Sequence, residues 1–112
     1  GLPLKRTRIC ILGLAYKGGV DDTRNSPATR IDRILRSKGA RVSVYDPYVP
    51  VGSLSDALGS QAVVLVTDHP EFRGIDLATS NSKVKVVVDG RNLLDPDKVK
   101  RAGIVYKGIG RS

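Results

Sequence analysis

The feature that most constrains this chain is a junction near its start. Ile9-Cys-Ile-Leu12 is a short apolar run that reads as a buried strand. It opens directly into Gly13-Leu-Ala-Tyr-Lys-Gly-Gly-Val-Asp-Asp-Thr-Arg-Asn-Ser-Pro27, a glycine-bearing loop dense in charge that leads into a helix start. A strand, a glycine loop and a helix in that order put a ligand at the carboxyl edge of a parallel sheet. Gly13, Gly18 and Gly19 let the backbone turn sharply or approach a ligand closely. Lys17 and Arg24 supply fixed positive charge, which Asp21 and Asp22 can orient.

Two phosphate motifs can be tested on this loop, and both fail. A dinucleotide fingerprint needs G-x-G-x-x-G, but Ala15 stands at the second glycine and Gly18 is out of frame. A P-loop needs lysine where Gly19 stands, although Gly13 and Gly18 have its glycine spacing. The loop suits an anionic ligand without matching either common nucleotide cradle.

The rest of the chain alternates strand and helix patterns. Gly1 to Arg8 is polar and basic, the end of a linker or of a preceding helix. Ser26-Pro27 caps and starts a helix. Ala28, Ile31, Ile34 and Leu35 recur along it at helical spacing, with Arg30, Arg33 and Arg36 on the outer face and Gly39 as a left-handed end. That arginine face is either simply solvated or a docking face. Arg41-Val-Ser-Val-Tyr-Asp46 is a second strand, stopped by Pro47. An acid after this strand holds a ribose in dinucleotide-binding domains, about 20 residues past the fingerprint. Asp46 comes about 30 residues on and lacks a fingerprint, which favours turn capping.

Ser53 with Asp56 predicts a capped short helix. Ala62-Val-Val-Leu-Val-Thr67 is unbroken apolar sequence, as expected of a central strand. Thr67-Asp68-His69 begins the following loop. His69, the one histidine, reads as a hydrogen-bonded structural residue rather than a general base, because no nucleophile with a suitable neighbour is evident. Glu71 to Ser82 is weakly patterned and predicts one irregular helix. Lys85-Val-Val-Val-Asp89 is a fourth strand that ends at Gly90-Arg91-Asn92. Asp95-Pro96 starts a last helix to Ala102, and Gly103-Ile-Val-Tyr106 is a fifth strand. The expected fold is α/β: a doubly wound, Rossmann-like parallel five-stranded sheet in the order 2-1-3-4-5, with helices on both faces. The most apolar strands, the first and third, are then central. The Gly13–Ser26 loop and Thr67–His69 then lie on the rim of the switch point, and Arg91 leaves the end of strand four on the same edge.

A chain of 112 residues suits a single domain spanning 1–112. No apolar run approaches the roughly 18–20 residues of a transmembrane helix, so no membrane partner is expected. Cys10 has no second cysteine to pair with, suits a reducing cytoplasm, and reads as a small buried hydrophobe before a catalytic thiol. The net charge of +8 raises the question of nucleic acid. However, the 19 lysines and arginines are dispersed, and no base-stacking or groove-entering module is legible. A phosphate-rich small ligand, or an acidic surface on a neighbouring domain, explains the excess as well. No metal-ligand cluster is evident.

Four blocks carry a resemblance: Gly13-Leu-Ala-Tyr-Lys17 with Asp21-Asp-Thr-Arg-Asn-Ser-Pro-Ala28, then Val44-Tyr-Asp-Pro47, Val66-Thr-Asp-His-Pro-Glu-Phe72 and Val88-Asp-Gly-Arg-Asn-Leu-Leu-Asp95. In order and over nearly the whole chain, they resemble the C-terminal, UDP-binding domain of the UDP-glucose/GDP-mannose dehydrogenase family. The Thr67-Asp68-His69 form resembles the branch acting on UDP-N-acetylhexosamines, of the UDP-N-acetylmannosamine type. The resemblance implies one piece of a larger NAD-dependent 6-dehydrogenase. Such an enzyme oxidises a sugar alcohol to a carboxylate for polysaccharide precursors. Its catalytic cysteine and NAD fingerprint lie in other domains, and it forms a homo-oligomer when full-length. It further implies that Tyr16, Lys17 and Arg91 contact the UDP-sugar and that Arg24 touches NAD, with no catalytic residue in this chain.

The alternative roles for Lys17 and Arg91 are ion pairs with Asp21, Asp22 or Asp89. The alternative functions are a self-standing, receiver-like regulatory domain and a basic nucleotide- or nucleic-acid-binding domain. A receiver needs an acidic cluster after strand one, where this chain has Leu12-Gly13.

Overall fold

Ile9, Cys10, Ile11 and Leu12 are all buried, which demands cover on both faces and a neighbour on each side. The computed structural model describes residues 4–14, 27–49, 51–77, 79 and 81–108. In it β1 (Arg8–Leu12) pairs in parallel with both β2 (Arg41–Tyr45) and β3 (Ala62–Leu65). β4 (Val86–Asp89) joins β3, and β5 (Val105–Gly108) joins β4. The order is 2-1-3-4-5, as the apolarity of the strands predicts.

The chain reverses its direction across the sheet once, between β2 and β3. Because parallel crossovers are right-handed, that reversal sends helices to opposite faces. α1 (Pro27–Ser37) packs on one face, where Ala28, Ile31 and Leu35 meet Ile9, Ile11, Ala62 and Val66. α2 (Leu54–Leu58), a 3-10 turn (Pro70–Gly74) and α3 (Pro96–Arg101) cover the other. There Ala57, Phe72 and Val99 pack on Cys10, Leu12, Val63, Leu65 and Val87.

Local chemistry sets the element ends. Ser53 Oγ accepts the Asp56 amide at 3.3 Å, and Asp56 Oδ2 accepts the Ser53 amide at 3.0 Å, closing the predicted capping box. Asp95 accepts the Asp97 amide at 3.0 Å with Pro96 in the first helical turn. Gly39 has φ +89, the left-handed end expected for α1.

Three expectations differ from the structure. Ile34 is 47% exposed, because Ala28, Ile31 and Leu35 already fill the narrow stripe that α1 buries. Among the described residues of 71–82 a 3-10 turn stands in place of the expected helix. Phe72 and Ile75, three residues apart, pack on the core, and the Ile75 amide closes the turn on the Phe72 carbonyl at 3.4 Å. The fifth strand starts at Val105 rather than Gly103. Gly103 has φ +81 and donates to Lys100, so it completes the end of α3 before the chain extends.

Candidate functional site

The carboxyl ends of β1, β3 and β4 deliver Gly13, Thr67–His69 and Arg91 to one rim, as their positions in the sheet predict. Gly13 lies against Thr67 with φ +109, and a Cβ added there would fall on Thr67 Cβ and Oγ1. Only glycine allows β1 to leave the sheet this close to the end of β3. Gly90 repeats the device between β3 and β4, since its Cβ would come within 2.7 Å of the Leu65 carbonyl.

Two buried aspartates organise the rim. Asp46 follows β2, and its side chain is fully enclosed. Its Oδ1 accepts the Tyr48 amide at 2.8 Å, the predicted turn cap. Its Oδ2 accepts the Leu14 amide at 2.7 Å and meets His69 Nε2 at 2.9 Å. A carboxylate can only accept, so Nε2 carries the proton. His69 is itself completely buried, packed 4.4 Å from the Tyr48 ring and edge-on to Phe72 at 5.4 Å between centroids. The Tyr48 hydroxyl donates to Glu71 at 2.9 Å, and that bond holds the phenol above its ordinary pKa.

Asp89, at the end of β4, is the second hub. Its Oδ1 accepts the Arg91 amide at 3.1 Å; its Oδ2 accepts the Leu94 amide at 2.8 Å and the Tyr106 hydroxyl at 2.9 Å. Asn92 then takes φ +52, a conformation asparagine tolerates better than most residues. Asp89 thus fixes the backbone of the Arg91 loop, while the arginine side chain stays 46% exposed. Its Nη2 lies 3.4 Å from Asp68 Oδ2. Among the described residues the Arg91 guanidinium pairs with Asp68, while Asp89, one of the acids weighed for it, holds its amide. An exposed pair at this distance is weak, on the order of 0–1 kcal/mol, and leaves the guanidinium available to a ligand.

Tyr16, Lys17 and Arg24 lie outside the described residues, as do Asp21 and Asp22. Among the predicted binding residues, Arg91 is the one that the structure positions. Two participants escaped the sequence reading: Asp46 as a bracket between β1 and β3, and Asp89 as the hub of the Arg91 loop. The available signal was the repeated pattern of an aspartate ending an apolar strand before a turn residue, Asp46-Pro47 and Asp89-Gly90. Cys10 is fully buried, and burial pushes its thiol up to about 11, which suits a packing residue and not a nucleophile. Among the described residues no group of side chains is arranged to hold a metal, and no helix is long and apolar enough to cross a membrane.

A separate cavity of about 270 Å³ lies between the 3-10 turn and α3, lined by Arg73, Leu77, Leu93 and Lys98 among others. Arg91 does not line it.

A doubly wound parallel sheet with a glycine exit at its switch point and an exposed arginine at the end of the next strand but one, on the same edge, has the layout of a nucleotide-binding domain. Residues 10–96 match the family model of the UDP-glucose/GDP-mannose dehydrogenase family, UDP binding domain. A UDP-N-acetyl-D-mannosamine dehydrogenase of Pyrococcus horikoshii is 44% identical over 108 residues, covering 92% of this chain and 25% of that protein. The solved structure of a UDP-D-ManNAc dehydrogenase from Pyrococcus horikoshii superposes with a TM-score of 0.84 at 42% identity, over 97% of this chain and 26% of that one. That of an NDP-N-acetyl-D-galactosaminuronic acid dehydrogenase from Methanosarcina mazei Go1 gives 0.89 at 32% identity, over 100% and 26%. The chain belongs to the UDP-glucose/GDP-mannose dehydrogenase family and corresponds to its UDP binding domain. It spans about a quarter of the length of the relatives that it matches.

Proposed function

We propose that the chain is the C-terminal, UDP-sugar-binding part of a longer NAD-dependent nucleotide-sugar 6-dehydrogenase. The substrate is a UDP-N-acetylhexosamine of the mannosamine type, oxidised at C6 from alcohol to carboxylate. The names of the most similar relatives and the Thr67-Asp68-His69 block support that substrate class. The observation that carries the reading is Arg91, a half-exposed guanidinium on a loop pinned by Asp89, beside the loop that follows β3. A diphosphate carries two negative charges, and cationic hydrogen bonds to phosphate are the strong kind. In this reading Tyr16 and Lys17 hold the same ligand from the β1 loop.

The described residues do not fit a primary NAD site. The fingerprint is missing, and the acid after β2, Asp46, is enclosed and committed to Leu14, Tyr48 and His69 rather than presented to a ribose. Hydride transfer therefore belongs to domains outside this chain, and Arg24 reaches the cofactor from here. A homo-oligomeric, cytoplasmic enzyme supplying polysaccharide precursors completes the proposal.

Calorimetric titration of UDP into the chain tests it. Arg91→Ala is expected to weaken binding about tenfold, the loss of one charge-assisted bond of roughly 1.5–3 kcal/mol partly screened by solvent. Arg36→Ala, whose guanidinium pairs with Asp32 and the Val42 carbonyl, should leave UDP binding unchanged. Equal affinity of wild type and Arg91→Ala for UDP would remove Arg91 from the site.

A further inference from the structure

The buried pair of Asp46 and His69 joins three loops of the rim, and nothing in its geometry serves the core alone. Asp46 enters from the end of β2, and His69 from the loop after β3. Their shared oxygen, Oδ2, also accepts the amide of Leu14 from the loop after β1. Leu14 is the last described residue before the segment that carries Tyr16 and Lys17. A 2.7 Å bond from an enclosed carboxylate fixes the direction in which the chain departs from β1.

His69 keeps that carboxylate in place. Its ring is clamped between Tyr48 and Phe72, so Nε2 has one direction in which to donate. Tyr48 is itself tied twice, by its amide to Asp46 Oδ1 and by its hydroxyl to Glu71. The bracket therefore closes on itself, from Asp46 to His69 to the Tyr48 ring and back. A hydrophobic trio of similar volume would fill the same space, but it would leave the Leu14 amide with no fixed acceptor.

We infer that Asp46 and His69 are positioning residues for nucleotide-sugar binding. They hold the Leu14 amide where the chain leaves β1, at the same rim as Arg91. This rests on the function proposed above. Neither residue touches the ligand in this arrangement; each acts through the Leu14 amide.

Two His69 variants separate positioning from packing. His69→Phe keeps an aromatic ring between Tyr48 and Phe72 but removes the donor. His69→Gln gives up part of the ring packing and retains an N–H near the place of Nε2. Positioning predicts that His69→Phe, folded by circular dichroism, binds UDP roughly five- to tenfold more weakly, as expected for a lost hydrogen bond of ordinary strength. His69→Gln should recover most of that affinity even with a lower melting temperature.

The Leu14 amide provides an independent readout. In an ¹⁵N-correlated spectrum its proton should lie downfield in wild type. It should move upfield in His69→Phe and further in Asp46→Asn, where one amide oxygen must replace the two carboxylate oxygens that accept from Leu14, Tyr48 and His69.

Affinity that follows melting temperature, with His69→Phe binding UDP like wild type and the Leu14 proton unmoved, would overturn the inference. Because Arg91→Ala is measured in the same titrations, that outcome stays distinct from failure of the functional reading. In the latter case wild type itself would show no UDP binding that depends on Arg91.

Discussion

Asp89→Ala is expected to be the most damaging single substitution at the rim. The side chain is fully buried and accepts three hydrogen bonds, from the Arg91 amide, the Leu94 amide and the Tyr106 hydroxyl. Truncation removes the acceptor of three hydrogen bonds, each worth about 1–3 kcal/mol where water cannot replace it. A loss of roughly 3–9 kcal/mol is a large part of the stability of a domain whose total is about 5–15 kcal/mol. Asp89→Asn should fall between wild type and Asp89→Ala. Its oxygen can keep the Arg91 amide and its NH2 can donate to a reoriented Tyr106 hydroxyl, but the Leu94 amide then faces another donor. Urea unfolding monitored by circular dichroism gives both values. Asp89→Ala with a midpoint equal to wild type would show that the three donors are satisfied by other means.

Gly13→Ala should be nearly as costly, for reasons of shape alone. Alanine at φ +109 pays a backbone penalty of roughly 1–3 kcal/mol, and its Cβ would overlap Thr67 Cβ and Oγ1. Relieving that overlap requires β1 and β3 to separate at their carboxyl ends, for about 1–3 kcal/mol more. Thr67→Gly in the Gly13→Ala background should recover the overlap contribution and leave the backbone contribution. Thermal unfolding of the two singles and the double resolves the two parts. A Gly13→Ala protein within about 0.5 kcal/mol of wild type would mean that the β1 exit is not held in its left-handed conformation.

Most of the fold was legible because apolarity ranks the strands. Ile9–Leu12 and Ala62–Thr67 are unbroken apolar runs and had to be central, which leaves β2 and β4–β5 for the flanks. Helix ends were equally readable wherever a capping side chain announces them, as at Ser53, Asp95 and Gly39. Glu71–Ser82 was not readable, because single-turn structure has no period to detect. Ile34 was misplaced because a helix of 11 residues against a narrow strip of sheet buries fewer positions than its apolar stripe offers.

The rim loops could be located from strand ends, but their internal wiring could not. That Asp46 turns back to Leu14, 32 residues earlier, and out to His69, 23 residues later, depends on which strands are neighbours. Asp89 likewise reaches Tyr106 only because β4 and β5 pair. Arg91 was correctly placed at the rim, yet its acidic neighbour proved to be Asp68, across the gap from β4 to β3, rather than any acid near it in sequence.

Titration of UDP followed residue by residue in ¹⁵N-correlated spectra is the most direct test that the carboxyl edge is the ligand site. Binding there predicts progressive, saturable shifts at Leu14, Asp68, Arg91 and Asn92, all reporting one dissociation constant that weakens with salt. Arg8, Gln61 and Lys85, at the opposite ends of the strands, should stay still. Shifts confined to that opposite edge, or to Leu77, Lys98 and Val99 around the cavity beside α3, would contradict the assignment.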